Sequence, residues 1–247
     1  MGTQWLRVPQ QRPEASARLV CLPHAGGAAG FYAPWASRLD SSIELVSVAY
    51  PGRGDRMADE MYDDLALMSR HIAEAVLDQD DERPVALFGH SMGAPVALEV
   101  ARVLQRAGRP AVHLFASGSR DGALPPPSSP PSEDPDVVVA QLVALGGTDP
   151  DLADDPAFRE LVVPYVVGDT RLLHGYRMDP EPVLDCPVTA IVGDVDESAD
   201  RRPWRSLTHA AYVERLVPGG HFYLDDDPPL AVLARAMAAR TTKGPLG

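Results

Sequence analysis

Gly89-His90-Ser91-Met92-Gly93 has the pattern G-x-S-x-G and lies where an apolar run, 84–88, gives way to an alanine-rich stretch of helical periodicity, 94–104. A serine at such a junction can serve as a nucleophile. The strand must reverse sharply into the helix with the serine at the apex, and only glycine on either side avoids a steric collision at that backbone angle. Ser91 Oγ is thereby pushed into the open. The first turn of the helix leaves N–H groups unpaired at the positive end of its dipole, so an oxyanion forming beside Ser91 would meet the N–H of Met92.

A serine is a weak nucleophile without a base, and the base needs an acid to orient it. In α/β-hydrolases the partners follow in the order Ser, Asp or Glu, His. His221 fits this order: it stands in Pro218-Gly219-Gly220-His221, directly after the last strand pattern, where two glycines let the loop curl over the sheet edge. The other histidines fit less well. His24 and His90 belong to loops with other tasks, His71 and His113 lie in helix and strand interiors, His174 in a long insertion, and His209 at a helix end. For the acid, Gly193-Asp194-Val195-Asp196-Glu197 offers two aspartates. Asp196 has cleared the strand end and can turn back toward His221; Asp194 is the alternative. The second half of an oxyanion hole is expected in Leu22-Pro23-His24-Ala25-Gly26-Gly27, glycine-rich and following a strand, with the N–H of Ala25 paired to that of Met92. His24 is read as a structural group that holds this loop.

These loops need a scaffold, and the periodicity supplies one. Runs 18–22, 43–49, 84–88, 112–117, 188–192 and 212–217 read as strands; 32–39, 63–77, 94–107, 203–210 and 230–239 read as helices. Short strands alternating with longer helices predict an α/β fold, a mostly parallel sheet with helices on both faces. One segment breaks the rhythm. Roughly seventy residues separate the strands ending at Ser117 and starting at Val188, far beyond an ordinary crossover, so an inserted substructure is expected at about 124–179 within a single domain, 1–247. It opens with a proline- and serine-rich stretch, 124–135, and carries two apolar helical patterns, 136–145 and 155–167. Asp155-Pro156 reads as an N-cap with proline at the first helical position, and Pro164 should end or kink that helix.

Composition narrows the partners. The formal charge of −13 over 247 residues argues against nucleic acid and against an anionic membrane surface. No apolar run reaches the length needed to span a bilayer. Cys21 and Cys186 each lie in an apolar strand-like run with no secretory signal ahead of them, which reads as a reduced, cytoplasmic protein. No metal-ligand spacing appears, and the glycines at 26, 27 and 30 lack both the Lys-Ser/Thr of a phosphate loop and the dinucleotide fingerprint, so neither metal nor cofactor is expected.

With these residues in place, the chain resembles the stand-alone type II thioesterases that accompany polyketide synthases and nonribosomal peptide synthetases. The matching pieces are Leu22-Pro23-His24-Ala25-Gly26-Gly27, Tyr50-Pro51-Gly52-Arg53-Gly54-Asp55-Arg56, Gly89-His90-Ser91-Met92-Gly93-Ala94, Leu184-Asp185-Cys186-Pro187-Val188, Gly193-Asp194-Val195-Asp196 and Pro218-Gly219-Gly220-His221-Phe222. The resemblance implies an α/β-hydrolase with Ser91, Asp196 and His221 as its triad and the insertion as a helical lid over an acyl chamber. It also implies a substrate, an acyl group on the phosphopantetheine arm of an acyl or peptidyl carrier protein, and a protein expected to act as a monomer. Apolar lid residues, Phe158 and Leu161 among them, are expected to line the chamber. Arg53 and Arg56 either tie neighbouring loops together or face the carrier's phosphate, the first being preferred, and Arg159, Arg171 and Arg177 are cations available to an acidic carrier. A general carboxylesterase would share the triad and differ in chamber and docking surface; a non-catalytic scaffold fits less well, because all three triad residues are present.

Overall fold

Apolar side chains alternate along each strand run and so sort onto two faces: in Ala17–Leu22, Val20 and Leu22 join one buried cluster, Leu19 and Cys21 the other. The computed structural model describes residues 4–124 and 129–241, which leaves part of the proline-rich stretch, 125–128, outside the described residues. Along the chain the elements are β1 (Leu6–Arg7), β2 (Ala17–Leu22), β3 (Ile43–Val48), α1 (Leu65–Leu77), β4 (Val85–His90), α2 (Gly93–Arg106), β5 (His113–Ser117), β6 (Ser119–Asp121), α3 (Pro135–Ala144), α4 (Pro150–Ala153), α5 (Pro156–Gly175), β7 (Val188–Gly193), β8 (Asp200–Arg202), β9 (Tyr212–Val217), α6 (Tyr223–Asp226) and α7 (Leu230–Thr241).

Seven strands form the main sheet in the order β1-β3-β2-β4-β5-β7-β9. β1 runs antiparallel to β3 and the other pairs are parallel. Helices α1 and α2 cover one face, while the 3₁₀ turn at Ala29–Trp35 and helix α7 cover the other. The order reverses beside β4: the chain leaves β2 for β3 on one side and continues from β4 to β5 on the other. A crevice opens at the carboxyl ends of the strands at such a reversal. Register brings Leu22 beside Gly89, His90 beside Ser117, and Gly193 beside Val217, so the loops that carry the expected chemistry leave the sheet along one edge.

The sheet meets the expectation of a mostly parallel α/β fold, but several elements differ. The helix expected at 32–39 is the 3₁₀ turn Ala29–Trp35, which contains Pro34. The one expected at 203–210 is only Trp204–Leu207, because Leu184 N–H donates to Leu207 O and Thr208 Oγ1 donates to Cys186 O, drawing the chain into pairing before a helix can extend. His209 therefore follows this pairing and ends no helix. Pro164 neither ends nor shortens α5, which continues to Gly175. Pro164 and Glu160 both lie on the exposed side, where water can serve the Glu160 carbonyl deprived of its donor, while Val166, Val167 and Leu172 bury the far half of the helix. β6 and β8 pair with each other in a small second sheet. Their sequences, Ser-Arg-Asp and Asp-Arg-Arg, carry no alternation that would announce a strand.

Helices α3, α4 and α5 form the insertion. Val138, Val139, Ala153, Val163, Val166 and Val167 bury against one another, so much of its apolar surface is satisfied within the insertion itself. Arg102, almost wholly buried on α2, holds the returning chain by donating to the carbonyls of Asp179 and Pro182. Among the described residues no helix is long and apolar enough to cross a membrane, and no group of three or more His, Cys, Asp or Glu is placed to hold a metal ion.

A close backbone contact between α2 and β2 gives a test. A Cβ on Gly93 would stand 2.1 Å from Leu22 O, whereas one on Gly30 would meet nothing within 4 Å. Backbone cannot swing aside as a side chain can, so Gly93→Ala should lose upwards of about 3 kcal/mol, lowering Tm by roughly 6–12 °C, and Gly30→Ala should leave Tm nearly unchanged. Equal Tm values for the two variants in thermal denaturation would contradict this packing.

Candidate active site

Ser91 sits between β4 and α2 with a φ of +53°, the only described residue other than glycine with positive φ. Strain of this kind costs about 1–3 kcal/mol and persists only where the surroundings impose it. Here they do. A Cβ at Gly89 would lie 2.0 Å from Gly93 O, so strand and helix approach too closely for any side chain at either glycine, and Ser91 N–H donates to Ser117 O at 2.8 Å. The serine is half-buried at the apex. Met92 behind it is the N-cap of α2, and among the described residues its N–H donates to no acceptor.

The loop after β2 faces this helix end and is fixed at nearly every peptide. Tyr32 OH donates to Leu22 O and Tyr50 OH to Pro23 O, each at 3.2 Å. Gly27 N–H donates to His24 O at 2.9 Å, Asp169 Oδ2 accepts from Gly26 N–H at 2.8 Å, and Arg53 Nη1 donates to Gly27 O at 3.2 Å. The Ala25 N–H, between these anchors, has no acceptor among the described residues. Burial and the nearby Asp169 push the Tyr50 hydroxyl up, which keeps it a donor.

At the other side of the crevice, Asp196 Oδ2 accepts from His221 Nδ1 at 2.9 Å, with both side chains buried. Burial alone would raise the Asp196 carboxyl, but hydrogen bonds from His221 and from Ser198 Oγ and N–H outweigh it and hold the group below the usual carboxylate range. It is an anion that orients the ring and leaves Nε2 free to accept a proton. The acid's loop is braced from below. Asp200 N–H donates to Gly118 O, β8 pairs with β6, and Trp204 Nε1 donates to Ser119 Oγ at 2.8 Å. Asp194, the alternative acid, is exposed and instead accepts from Gly219 N–H at 2.9 Å, tying the turn that presents His221.

Two further histidines press on this group. The His90 and His221 rings lie 5.0 Å apart and the His24 and His90 rings 5.8 Å, with Phe222 against all three. His90 Nδ1 is 2.9 Å from Ser117 Oγ, which in turn meets Tyr223 OH at 2.7 Å. Burial, His221 and Arg53 push His24 down to about 3; burial, His221 and His24 push His90 well below the usual histidine range. Both are neutral packing groups, which keeps positive charge away from His221.

The insertion reaches the site on both flanks. Val166 fills the space over Gly26, where a Cβ would come within 2.8 Å of it, and Phe222 does the same over Gly147 at 2.5 Å. Of the insertion residues expected near substrate, Phe158 is half-buried; Leu161 is 53% exposed, because Val162, Val163, Val166 and Val167 turn the opposite side of α5 inward. Gly168 on α5 admits Met61, whose Cε would lie 2.5 Å from an added Cβ. Asp169 and Tyr50 were not foreseen. The available signal was a single carboxylate on the buried stripe of α5, three residues from both Val166 and Leu172, which requires a buried cation. Arg53 is that cation, confirming the reading of it as a loop tie; Arg56 likewise donates to Ala49 O at 2.8 Å and to Asp59 at 2.7 Å. Arg159 and Arg171 pair with Asp136 and Glu133.

The neutral histidines have a measurable consequence. With its folded value lowered, His24 stays unprotonated while the unfolded chain takes up a proton below about 6.5. The unfolded state then binds more protons, so this contribution to stability is complete above about pH 6.5 and is lost as pH falls toward 3. In urea unfolding, the stability gap between wild type and His24→Gln should narrow by up to about 1.4 kcal/mol per pH unit below pH 6. A gap that stays constant from pH 7 to 5 would show that His24 titrates as freely folded as unfolded.

A family model described as a thioesterase domain matches residues 17–238. Thioesterase PikA5 of Streptomyces venezuelae is 37% identical over 226 residues, covering 90% of this chain and 80% of its own length. Among solved structures, BorB, the type II thioesterase from the borrelidin biosynthetic cluster, superposes with a TM-score of 0.79 at 34% identity, covering 95% of this chain and 98% of its own. RedJ, the thioesterase of the prodiginine pathway in Streptomyces coelicolor, gives 0.80 at 34% identity, covering 92% and 87%. The family match begins at β2, runs through the strand–helix apex, the aspartate loop and the histidine loop, and includes the insertion between them; the chain belongs to the thioesterase family and is an enzyme of the α/β-hydrolase fold.

Proposed function

We propose that this thioesterase hydrolyses acyl groups from the phosphopantetheine arm of acyl or peptidyl carrier proteins, the editing role of type II enzymes in polyketide and nonribosomal peptide assembly. Ser91 is the nucleophile, His221 the base, Asp196 the acid that orients it, and the N–H groups of Ala25 and Met92 form the oxyanion hole. The observation that carries this reading is the buried 2.9 Å bond between Asp196 and His221 at the sheet edge where Ser91 is held at positive φ. The relatives support the substrate class: BorB comes from the borrelidin biosynthetic cluster and RedJ from the prodiginine biosynthetic pathway.

In this reading Ser91 Oγ attacks the thioester carbonyl while its proton passes to His221 Nε2. The carbonyl oxygen becomes an oxyanion facing Ala25 and Met92, and the C–S bond breaks as the pantetheine thiol leaves with the proton. Water then attacks the acyl-enzyme, His221 takes its proton, and the carboxylic acid departs as Ser91 regains its hydroxyl. The chemistry uses side chains and backbone amides alone. The insertion acts as a lid within a single α/β-hydrolase domain that works as a monomer, and the free, buried Cys21 and Cys186 support a reducing, cytoplasmic location. Because Arg159 and Arg171 are paired within the lid, an acidic carrier would have to displace Asp136 and Glu133 or dock elsewhere.

Mass spectrometry of a carrier protein loaded with several acyl groups, before and after exposure to the enzyme, tests the substrate. Loss of acyl mass supports the reading, whereas intact carriers alongside rapid cleavage of oxygen esters identify a general acyl hydrolase. Ser91→Ala should lower kcat by about 10⁶ and Asp196→Asn by about 10⁴, the acid being the less costly loss. Asp194→Asn should keep most activity; if it does not and Asp196→Asn does, the acid has been misassigned.

A further inference from the structure

Asp169 is a buried carboxylate on the insertion, yet its bonds run to the loop that carries the proposed oxyanion donor. Its Oδ2 accepts from Gly26 N–H at 2.8 Å and from Arg53 Nη1 at 2.5 Å, and its Oδ1 accepts from Arg53 Nη2 at 2.6 Å. Both side chains are 3% exposed. The Arg53 guanidinium lies between the rings of Tyr50 and Tyr165, 5.3 and 4.9 Å from their centroids, and its Nη1 also donates to Gly27 O. A buried pair of this kind adds little net stability over apolar residues of the same volume, so its placement calls for another reason.

We infer that Asp169 is a positioning residue for catalysis: by accepting from Gly26 N–H, with Arg53 fixing the carboxylate, it sets the orientation of the Ala25 N–H. This rests on the proposed oxyanion hole. Gly26 N–H belongs to the peptide on the C-terminal side of Ala25, and Tyr50 fixes Pro23 O two residues before it, so the backbone at Ala25 is held from both directions. A donor must lie 2.7–3.1 Å from the oxyanion, and displacement by about 1 Å can cost about a hundredfold in rate. The insertion thereby supplies part of the oxyanion geometry in addition to covering the crevice.

The test compares wild type, Asp169→Asn, the double variant Arg53→Met/Asp169→Leu and Ser91→Ala. Each is assayed for Tm, for kcat and KM on an acyl N-acetylcysteamine thioester, and for affinity to a trifluoromethyl ketone thioether that forms an oxyanion adduct with serine. The double variant removes both ions together and should stay folded. It is expected to lose about 10- to 100-fold in kcat with KM within about threefold, and to lose ketone affinity in parallel. Asp169→Asn keeps an acceptor for Gly26 and should fall between the two. Wild-type kcat in the folded double variant, or reduced kcat with undiminished ketone affinity, overturns the inference. Should the double variant not fold, Asp169→Asn decides: parallel losses of kcat and ketone affinity support the role, and unchanged values for both overturn it. Continued turnover by Ser91→Ala would instead reject the underlying site assignment, an outcome separate from either.

Discussion

Helix α2 meets strand β2 so closely that a Cβ on Gly93 would stand 2.1 Å from the carbonyl oxygen of Leu22, and one on Gly89 would stand 2.0 Å from Gly93 O. Everything at the site follows from that approach. It holds Ser91 in a left-handed conformation and sets the start of α2 against the backbone of Leu22 and Pro23, where the loop after β2 begins. A side chain at either glycine would push helix and strand apart, and the two proposed oxyanion donors would separate with them. The strain at Ser91 is sustained because the elements around it are among the most deeply buried in the molecule: Val96, Leu98, Val100 and Leu104 of α2 are buried against the sheet and contribute about 1.5–3 kcal/mol each.

Buried charge is handled differently at the two ends of the sheet. At the amino ends, Arg18 and Arg83 share Glu44 and Asp81, a network that closes the bottom of β2, β3 and β4. Two cations and two anions there offset one another's charge. At the carboxyl ends, Arg53 and Asp169 form an isolated pair that links a loop of the core to a helix of the insertion. Removing one partner of either would strand a charge, but only the second bonds to the loop after β2. The histidines obey the same logic. His24 and His90 are held neutral by burial, so the site gathers three imidazoles without accumulating charge around the one paired to Asp196.

The insertion is bound to the core by specific contacts at both flanks, Val166 over Gly26 and Phe222 against Gly147, while its own valines close a small separate core. That core is separate from the sheet, but Leu172 at the end of α5 joins the main core and Asp169 pairs with Arg53, so the insertion is anchored as well as self-packed. Its docking contacts fall on the two loops that carry Ala25 and His221, so coverage of the crevice and the arrangement of those loops are coupled through the same few residues.

The sequence by itself determined the apex and its order of partners. G-x-S-x-G between a strand and a helix pattern, Pro-Gly-Gly-His after the last strand, and a Gly-Asp-Val-Asp turn are local signals, because each requires particular residue types at a backbone angle that neighbours in the chain impose. The parallel sheet was legible for the same reason, since period-two burial is written into each run. Tertiary structure alone decided what depends on residues far apart. Asp169 lies 143 positions from the amide it accepts from, and its value to the loop is invisible in a helix pattern. The β6–β8 pair has no apolar alternation and forms only because β5 and β7 deliver its ends side by side. Pro164 read as a stop or a kink, yet the helix continues because burial of Val166, Val167 and Leu172 outweighs one lost backbone bond on the solvent side. Local chemistry fixes where the chain can bend and which groups can react; packing between distant segments fixes which of those groups share one opening.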